Sequence, residues 1–235
     1  MSNPYGIIQR TSRAITLGLA TVFAKYITSW LEAKKSWPSV TVLVAVAIVV
    51  VVSQQLAFFF DWILNHFRFL RSILFRGHDV EGTWVDLGLQ GEKVEVVGLT
   101  YFEIRDFNLC WYGENHNLDG QVISSFKTET SILDWPKARF WFKNTPSENK
   151  FSMLEGVCEL LFETGKGGNP ISYSGWGGII SEAGISRVVG WKITDRKKIK
   201  DLCSARTRAE TLLTIACEFP EFASKRATPL PDVKS

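Results

Sequence analysis

The stretch RGHDVEGTWVDLGL, Arg76–Leu89, decides the fold. From Val80 to Leu89 its residues have the length and composition of a β-strand, and the run closes on turn chemistry in LQGE. A Gly-x-Trp pair at the head of a strand is a habit of small β-barrels, whose closed end the ring fills. Gly82 and Trp84 are therefore expected at a barrel base. What precedes them is unusual for such a strand: a long apolar run ending in a basic cluster, RFLRSILFR.

That run, SVTVLVAVAIVVVVSQQLAFFFDWIL from Ser39 to Leu64, carries no charge before Asp61. About 20 apolar residues suffice to cross a bilayer. Its many valines lower intrinsic helix propensity, but a bilayer forces the backbone to satisfy its own hydrogen bonds, so the segment reads as a transmembrane helix. Upstream, Ala14–Leu31, closing by about residue 33, is also apolar but holds Lys25 and several threonines. It reads as a first membrane helix whose Lys25 reaches the interface, with Trp30 and Trp37 in the aromatic belt. A helix lying on the membrane surface is the alternative. EAKKSWP leaves room only for a tight hairpin; Ser53, Gln54 and Gln55 can bond between helices once protomers gather, at roughly 1 kcal/mol each, or else close the hairpin with the first helix.

Charge divides the chain in the same place. Residues 1–76 hold 8 Lys/Arg and 2 Asp/Glu, and residues 77–235 hold 19 and 22, so a basic membrane region precedes a mildly acidic domain. Arg10 and Arg13 before the first helix, and Arg68, Arg71 and Arg76 after the second, place both termini and the β domain in the cytoplasm by the positive-inside rule. The acidic balance of 77–235 excludes a domain that tracks a nucleic-acid polymer by charge.

From Val80 to Thr194 short β-rich segments alternate with turns such as ENHNLDG, NTPSENK, GKGGNP and SEAG. About eight sequential strands with short connections predict an antiparallel, lipocalin-like barrel over 77–195 behind the two-helix hairpin. A sandwich is the competing architecture. Helical spacing returns in 196–219, where Ile199, Leu202, Ala209, Leu212, Ile215 and Ala216 form an apolar face expected to cap one end of the barrel or to meet a second protomer. Residues 220–235 read as a disordered tail.

Catalysis is not expected. ETGKGGNP lacks the full phosphate-loop spacing and joins two strands, so a hairpin turn explains it. Asp86, Glu95 and Glu103 have no nucleophile or base to pair with, and Ser124–Ser125 has no histidine partner, His116 being expected in a turn. Cys110, Cys158, Cys203 and Cys217 are isolated, as are His66, His78 and His116, so neither a metal site nor a disulfide framework is expected.

The order of parts, namely a basic N-terminus, two apolar helices, RFLRSILFRGHDVEGTW and a β-rich domain with a late YSGWGGII and GISRVVGWKIT, resembles a family. It is that of the two-transmembrane, β-strand-rich effectors associated with bacterial cyclic-oligonucleotide synthases in anti-phage signalling (CBASS). The resemblance runs nearly the whole chain to Thr194. The departures are the polar first helix and the helix after Thr194. It implies that the cytosolic barrel binds a cyclic dinucleotide, that protomers then associate, and that the helices disrupt the inner membrane. No cofactor beyond the activating ligand is implied.

Such a ligand needs flat faces for its bases and donors for its phosphates. The candidates are Tyr101, Lys127, Arg139, Trp141, Trp176, Arg187 and Trp191; alternation groups Arg139 with Trp141 and Arg187 with Trp191, without fixing which faces point inward. Two other classes remain open. A membrane-tethered barrel binding a lipid or small apolar ligand predicts a cavity without converging Arg or Lys. A partner-binding structural module predicts no sizeable pocket.

Overall fold

In β1, Trp84, Asp86 and Gly88 point one way and Val85, Leu87 and Leu89 the other, yet nearly all of them are buried. The reason is a closed barrel with a covered outer wall. The computed structural model describes residues 10, 13–14, 17–18, 21–27, 29, 39–67, 69–70, 73, 78–105, 108–148, 153–181 and 184–219. The chain divides into two units, 2–75 and 76–235.

In the first unit, helix α1 spans Ser39–His66. Among the described residues one stretch, Ala47–Leu64, is long and apolar enough to cross a membrane. The described residues of the earlier apolar segment are helical between 10 and 29. Arg13 in that segment lies 3.7 Å from the Asp61 carboxylate of α1. The expected hairpin loop at 31–38 and the expected tail at 220–235 lie outside the described residues.

The second unit holds β1 (Gly82–Gln90), β2 (Lys93–Arg105), β3 (Asn108–His116), β4 (Val122–Asp134), β5 (Lys137–Pro146), β6 (Leu154–Thr164), β7 (Pro170–Ile179) and β8 (Ser186–Lys192). Each strand pairs antiparallel with its sequence neighbour, and β8 closes on β1, Trp84 opposite Lys192 and Leu87 opposite Val189. Closure leaves no unpaired edge.

One expected boundary moves. β3 runs on through ENH, so His116 is a buried strand residue and not a turn residue. Within β4 a bulge between Thr128 and Thr130 absorbs one residue without ending the strand. Past that bulge the inward phase changes from even to odd positions, from Phe126 and Thr128 to Ser131 and Leu133.

The expected C-terminal helix is two helices, α2 (Arg196–Cys203) and α3 (Arg208–Cys217). Asp195 caps α2, its carboxylate accepting from the Lys197 and Lys198 N–H groups. The pair does not cap a barrel end. Leu202, Leu212, Ile215 and Ala216 pack against Val85, Leu87, Leu89, Val97, Leu99 and Val189 on the outer wall of β1, β2 and β8. Period-two strands turn alternate residues outward, so an apolar outer row needs such a cover.

One end of the lumen is plugged. The Trp84 ring centroid lies 5.5 Å from Phe102, 5.8 Å from Phe162 and 5.3 Å from Tyr173. Its indole N–H donates to the Val80 carbonyl at 2.9 Å, and the Ile104 N–H donates to the Glu81 carboxylate at 3.0 Å. Gly82 holds a positive φ of 136°, which a residue with a Cβ rarely adopts, and turns the chain into β1.

Candidate functional site

Above the aromatic plug the lumen opens. A cavity of about 310 Å³ reaches the end of the barrel where the β1–β2, β3–β4, β5–β6 and β7–β8 connections gather. Its aromatic faces are Trp111, Phe126 and Phe142; the Trp111 centroid lies 4.4 Å from Phe126 and 5.2 Å from Phe142. Asp86, Asn115, Asn144 and Ser186 add hydrogen-bonding groups. Inward glycines make the room. A Cβ on Gly98 would meet the Asp86 carboxylate at 1.8 Å, and one on Gly156 would meet the Phe142 ring at 2.3 Å.

Asp86 is the polar anchor of the lumen. Its Oδ2 accepts from the Thr100 hydroxyl at 2.5 Å and from the Tyr173 hydroxyl at 2.6 Å. Burial holds this carboxyl above the ordinary carboxylate range, against the two hydrogen bonds that favour its ionised form. The same burial, followed by the Asp86 charge, pushes the Tyr173 phenol well above its ordinary value. Burial likewise raises the Cys158 thiol on the cavity wall, which makes it unreactive as a nucleophile.

Among the described residues, two buried polar atoms of the cavity lining have no hydrogen-bond partner, Trp111 Nε1 and Asn144 Oδ1. An unsatisfied buried group costs about 1–3 kcal/mol, and such groups are few in folded proteins. Among the described residues the ionisable lining is Asp86, Cys158 and Glu95, without a lysine or arginine. The cavity is thus suited to an uncharged or cationic group that is flat and offers hydrogen bonds, and it is hostile to a bare anion.

The seven residues expected to bind ligand all stand on the outer wall, and pairing register decides this. Residues opposite one another share a face, and the inward row Trp84–Thr100–Gly113–Phe126–Asn144 fixes the phase. Tyr101 and Lys127 fall outside it. They line one outer groove of about 410 Å³ with Arg105, Tyr112, Glu114 and Arg208. There Tyr101 stacks on Tyr112 at 5.4 Å, Arg105 binds Glu103, and Arg208 binds Glu114.

Arg139, Trp141 and Trp176 line a second outer groove, of about 480 Å³, with Ile132, Val157 and Glu159. A single cross-strand row carries Arg139, Glu159, Trp176 and Arg187, and the Arg139 guanidinium donates to Glu159 at 2.7 Å. Trp191 is stacked flat on Phe219 with centroids 3.8 Å apart. The structure therefore joins Arg139 with Trp141 and Trp176, and Tyr101 with Lys127, but brings none of them into the lumen.

In the helical unit, Ser53 and Gln54 line a groove of about 520 Å³ with Arg13, Leu17, Ala57, Phe58 and Asp61; Gln54 and Gln55 are both exposed. The Ser53 hydroxyl donates to the Val49 carbonyl within its own helix, at 2.6 Å.

Fold and cavity together define a class: an eight-stranded closed β-barrel with one plugged end and one open, polar-lined end, in a chain that also holds a helix able to cross a membrane. No family model, no curated protein and no solved structure matches the chain.

Proposed function

We propose that this protein is a membrane-tethered sensor whose barrel takes its ligand at the open end of the lumen. Following the resemblance of its parts, the ligand is a cyclic dinucleotide, the β domain and both termini are cytoplasmic, and the setting is the inner membrane of a bacterium. Ligand-bound protomers gather, and two membrane helices per protomer disrupt the bilayer to end a phage infection. The protein itself performs no catalysis in this reading.

The observation that carries the reading is the mouth cavity, with its aromatic faces and the two unpartnered polar atoms of Trp111 and Asn144. A protein whose barrel served only as a packed module would fill this space. Thermal unfolding of the full chain in detergent, measured against a panel of cyclic di- and trinucleotides, tests it. A ligand at a hundredfold its Kd adds roughly 2.7 kcal/mol to stability, a readily measured shift. A selective shift supports the sensor; a flat panel from a folded protein removes it.

A second reading rests on the acidic lining. Asp86 and Glu95, with no facing cation among the described residues, favour an uncharged or cationic small molecule, as in a tethered barrel unrelated to nucleotide signalling. Binding of such a compound with a flat nucleotide panel would select it.

A further inference from the structure

Resting on the sensor reading above, we propose that the mouth cavity is a nucleobase subsite. One uncharged base enters it, an acceptor on the base meets the Trp111 indole N–H, and the Asn144 amide reads the neighbouring group. The phosphates of the ligand remain outside the lumen. Three independent observations lead here.

The first is size. At about 310 Å³ the cavity sits at the floor of the roughly 300–1,000 Å³ range of small-molecule pockets, enough for a heterocycle and too little for two bases, two riboses and two phosphates. The second is charge. Buried phosphate needs paired cations, and the lining offers Asp86 and Glu95 instead. The third is the hydrogen-bond deficit. Trp111 is only 6% exposed and its indole can only donate, so its missing partner must be an acceptor. The Asn144 amide can turn either end toward a ligand, which suits the paired donors and acceptors on a base edge. Phe126 and Phe142 supply the flat contacts beside it.

The test uses the full chain in detergent micelles with ¹⁵N-labelled tryptophan, titrated with adenosine, guanosine, cytidine, uridine and inorganic pyrophosphate. The Trp111 indole resonance is identified by its loss in Trp111→Phe. At least one nucleoside is expected to shift that resonance, and pyrophosphate is expected to leave it in place. Trp111→Phe, which keeps a ring but removes the donor, is expected to weaken the nucleoside and the cyclic dinucleotide each about tenfold. Where Trp111→Phe fails to fold, Phe126→Leu, which alters the ring 4.4 Å from Trp111, identifies the resonance by its displacement, and the wild-type titration then decides the matter.

If a cyclic dinucleotide binds while every nucleoside leaves the Trp111 indole unmoved, the base subsite is wrong and the sensor reading stands. If a nucleoside binds through Trp111 and no cyclic dinucleotide binds, the subsite stands and the sensor reading fails. Pyrophosphate moving the indole, or no compound binding at all, overturns the subsite.

Discussion

The Tyr173 hydroxyl donates a hydrogen bond to the Asp86 carboxylate at 2.6 Å, joining β7 to β1 across the floor of the cavity. Both side chains are buried, and Thr100 completes the cluster from β2. Removing the hydroxyl leaves the carboxylate with one donor in place of two. Losing one partner of a buried polar group costs about 1–3 kcal/mol, so Tyr173→Phe is expected to lower stability at pH 7 by about that amount. Chemical denaturation of the full chain in detergent measures it, and a loss below about 0.5 kcal/mol would show that Asp86 finds another donor.

The same cluster gives stability a pH dependence. Burial raises the folded-state pKa of Asp86 above its ordinary 3.8, so the folded protein holds that proton over a pH range in which the unfolded chain has lost it. Its stabilising contribution is therefore full below the unfolded value and is lost as pH rises through the raised folded value. Asp86→Asn keeps an acceptor for Thr100 and Tyr173 but does not titrate. Relative to this variant the wild type is expected to lose stability as pH climbs from about 4 toward neutrality, seen as a falling denaturation midpoint at pH 4, 5.5 and 7. Parallel curves would refute the assignment.

How much of this was legible in the sequence differs between wall and lumen. The strands were visible because turn residues punctuate them, and Trp84 marked the barrel base because Gly82 and the ring are local signals. The inward phase was not visible. Amphipathic alternation names the core face only when the opposite face meets water. In β1 the outward Val85, Leu87 and Leu89 are buried under α2 and α3, while the inward face carries Asp86 and Gly88, so the more polar face is the lumen.

On β5 and β7 the reverse holds: Trp141 and Trp176 are 50% and 40% exposed on the outer wall. Their rings look like ligand platforms in the sequence no less than Trp111 does, while Asn115 and Asn144 do not stand out. The available signal was the set of strand glycines. Gly98 and Gly156 each face a large inward group, Asp86 and Phe142, and such pairs mark a lumen in which bulk is alternated with space.

Gly98 provides a direct test of that packing. A methyl at this position would stand 1.8 Å from Asp86 Oδ1, so either the carboxylate or the β1–β2 ladder must move. Gly98→Ala is expected to destabilise the barrel by about 1–3 kcal/mol, the usual scale of overpacking. In an Asp86→Ala background the added methyl has room, so the two losses should not add; a coupling of about 1 kcal/mol or more is expected from a double-mutant cycle. Additivity would place the strain elsewhere.

The outer cover makes a separate claim on stability. Leu212 is fully buried and, with Ile215 and Ala216, seals the apolar row of β1, β2 and β8. Leu212→Ala is expected to cost about 2–5 kcal/mol, as cavities in a packed core do. The open cavity lies on the other side of the wall, so ligand affinity measured well below the unfolding temperature should change far less than stability. A variant that keeps its stability but loses binding would mean that α3 acts on the mouth.

In the helical unit Arg13 and Asp61 stand 3.7 Å apart, the contact that the proposed antiparallel hairpin of the two apolar segments would make. The native thiols Cys110, Cys158, Cys203 and Cys217 all lie in the β domain and can be replaced by serine or alanine to clear the background. With Arg13→Cys and Asp61→Cys installed in that background, a short bis-maleimide is expected to cross-link within one chain in native membranes, seen as a mobility shift without dimer. Arg13→Cys paired with Leu43→Cys, at the far end of α1, is expected to give none, because about 18 residues of helix at 1.5 Å each separate positions 43 and 61. Efficient cross-linking of that control pair would overturn the antiparallel arrangement. Cross-linking of the first pair only between chains would mean that the two segments meet in an oligomer.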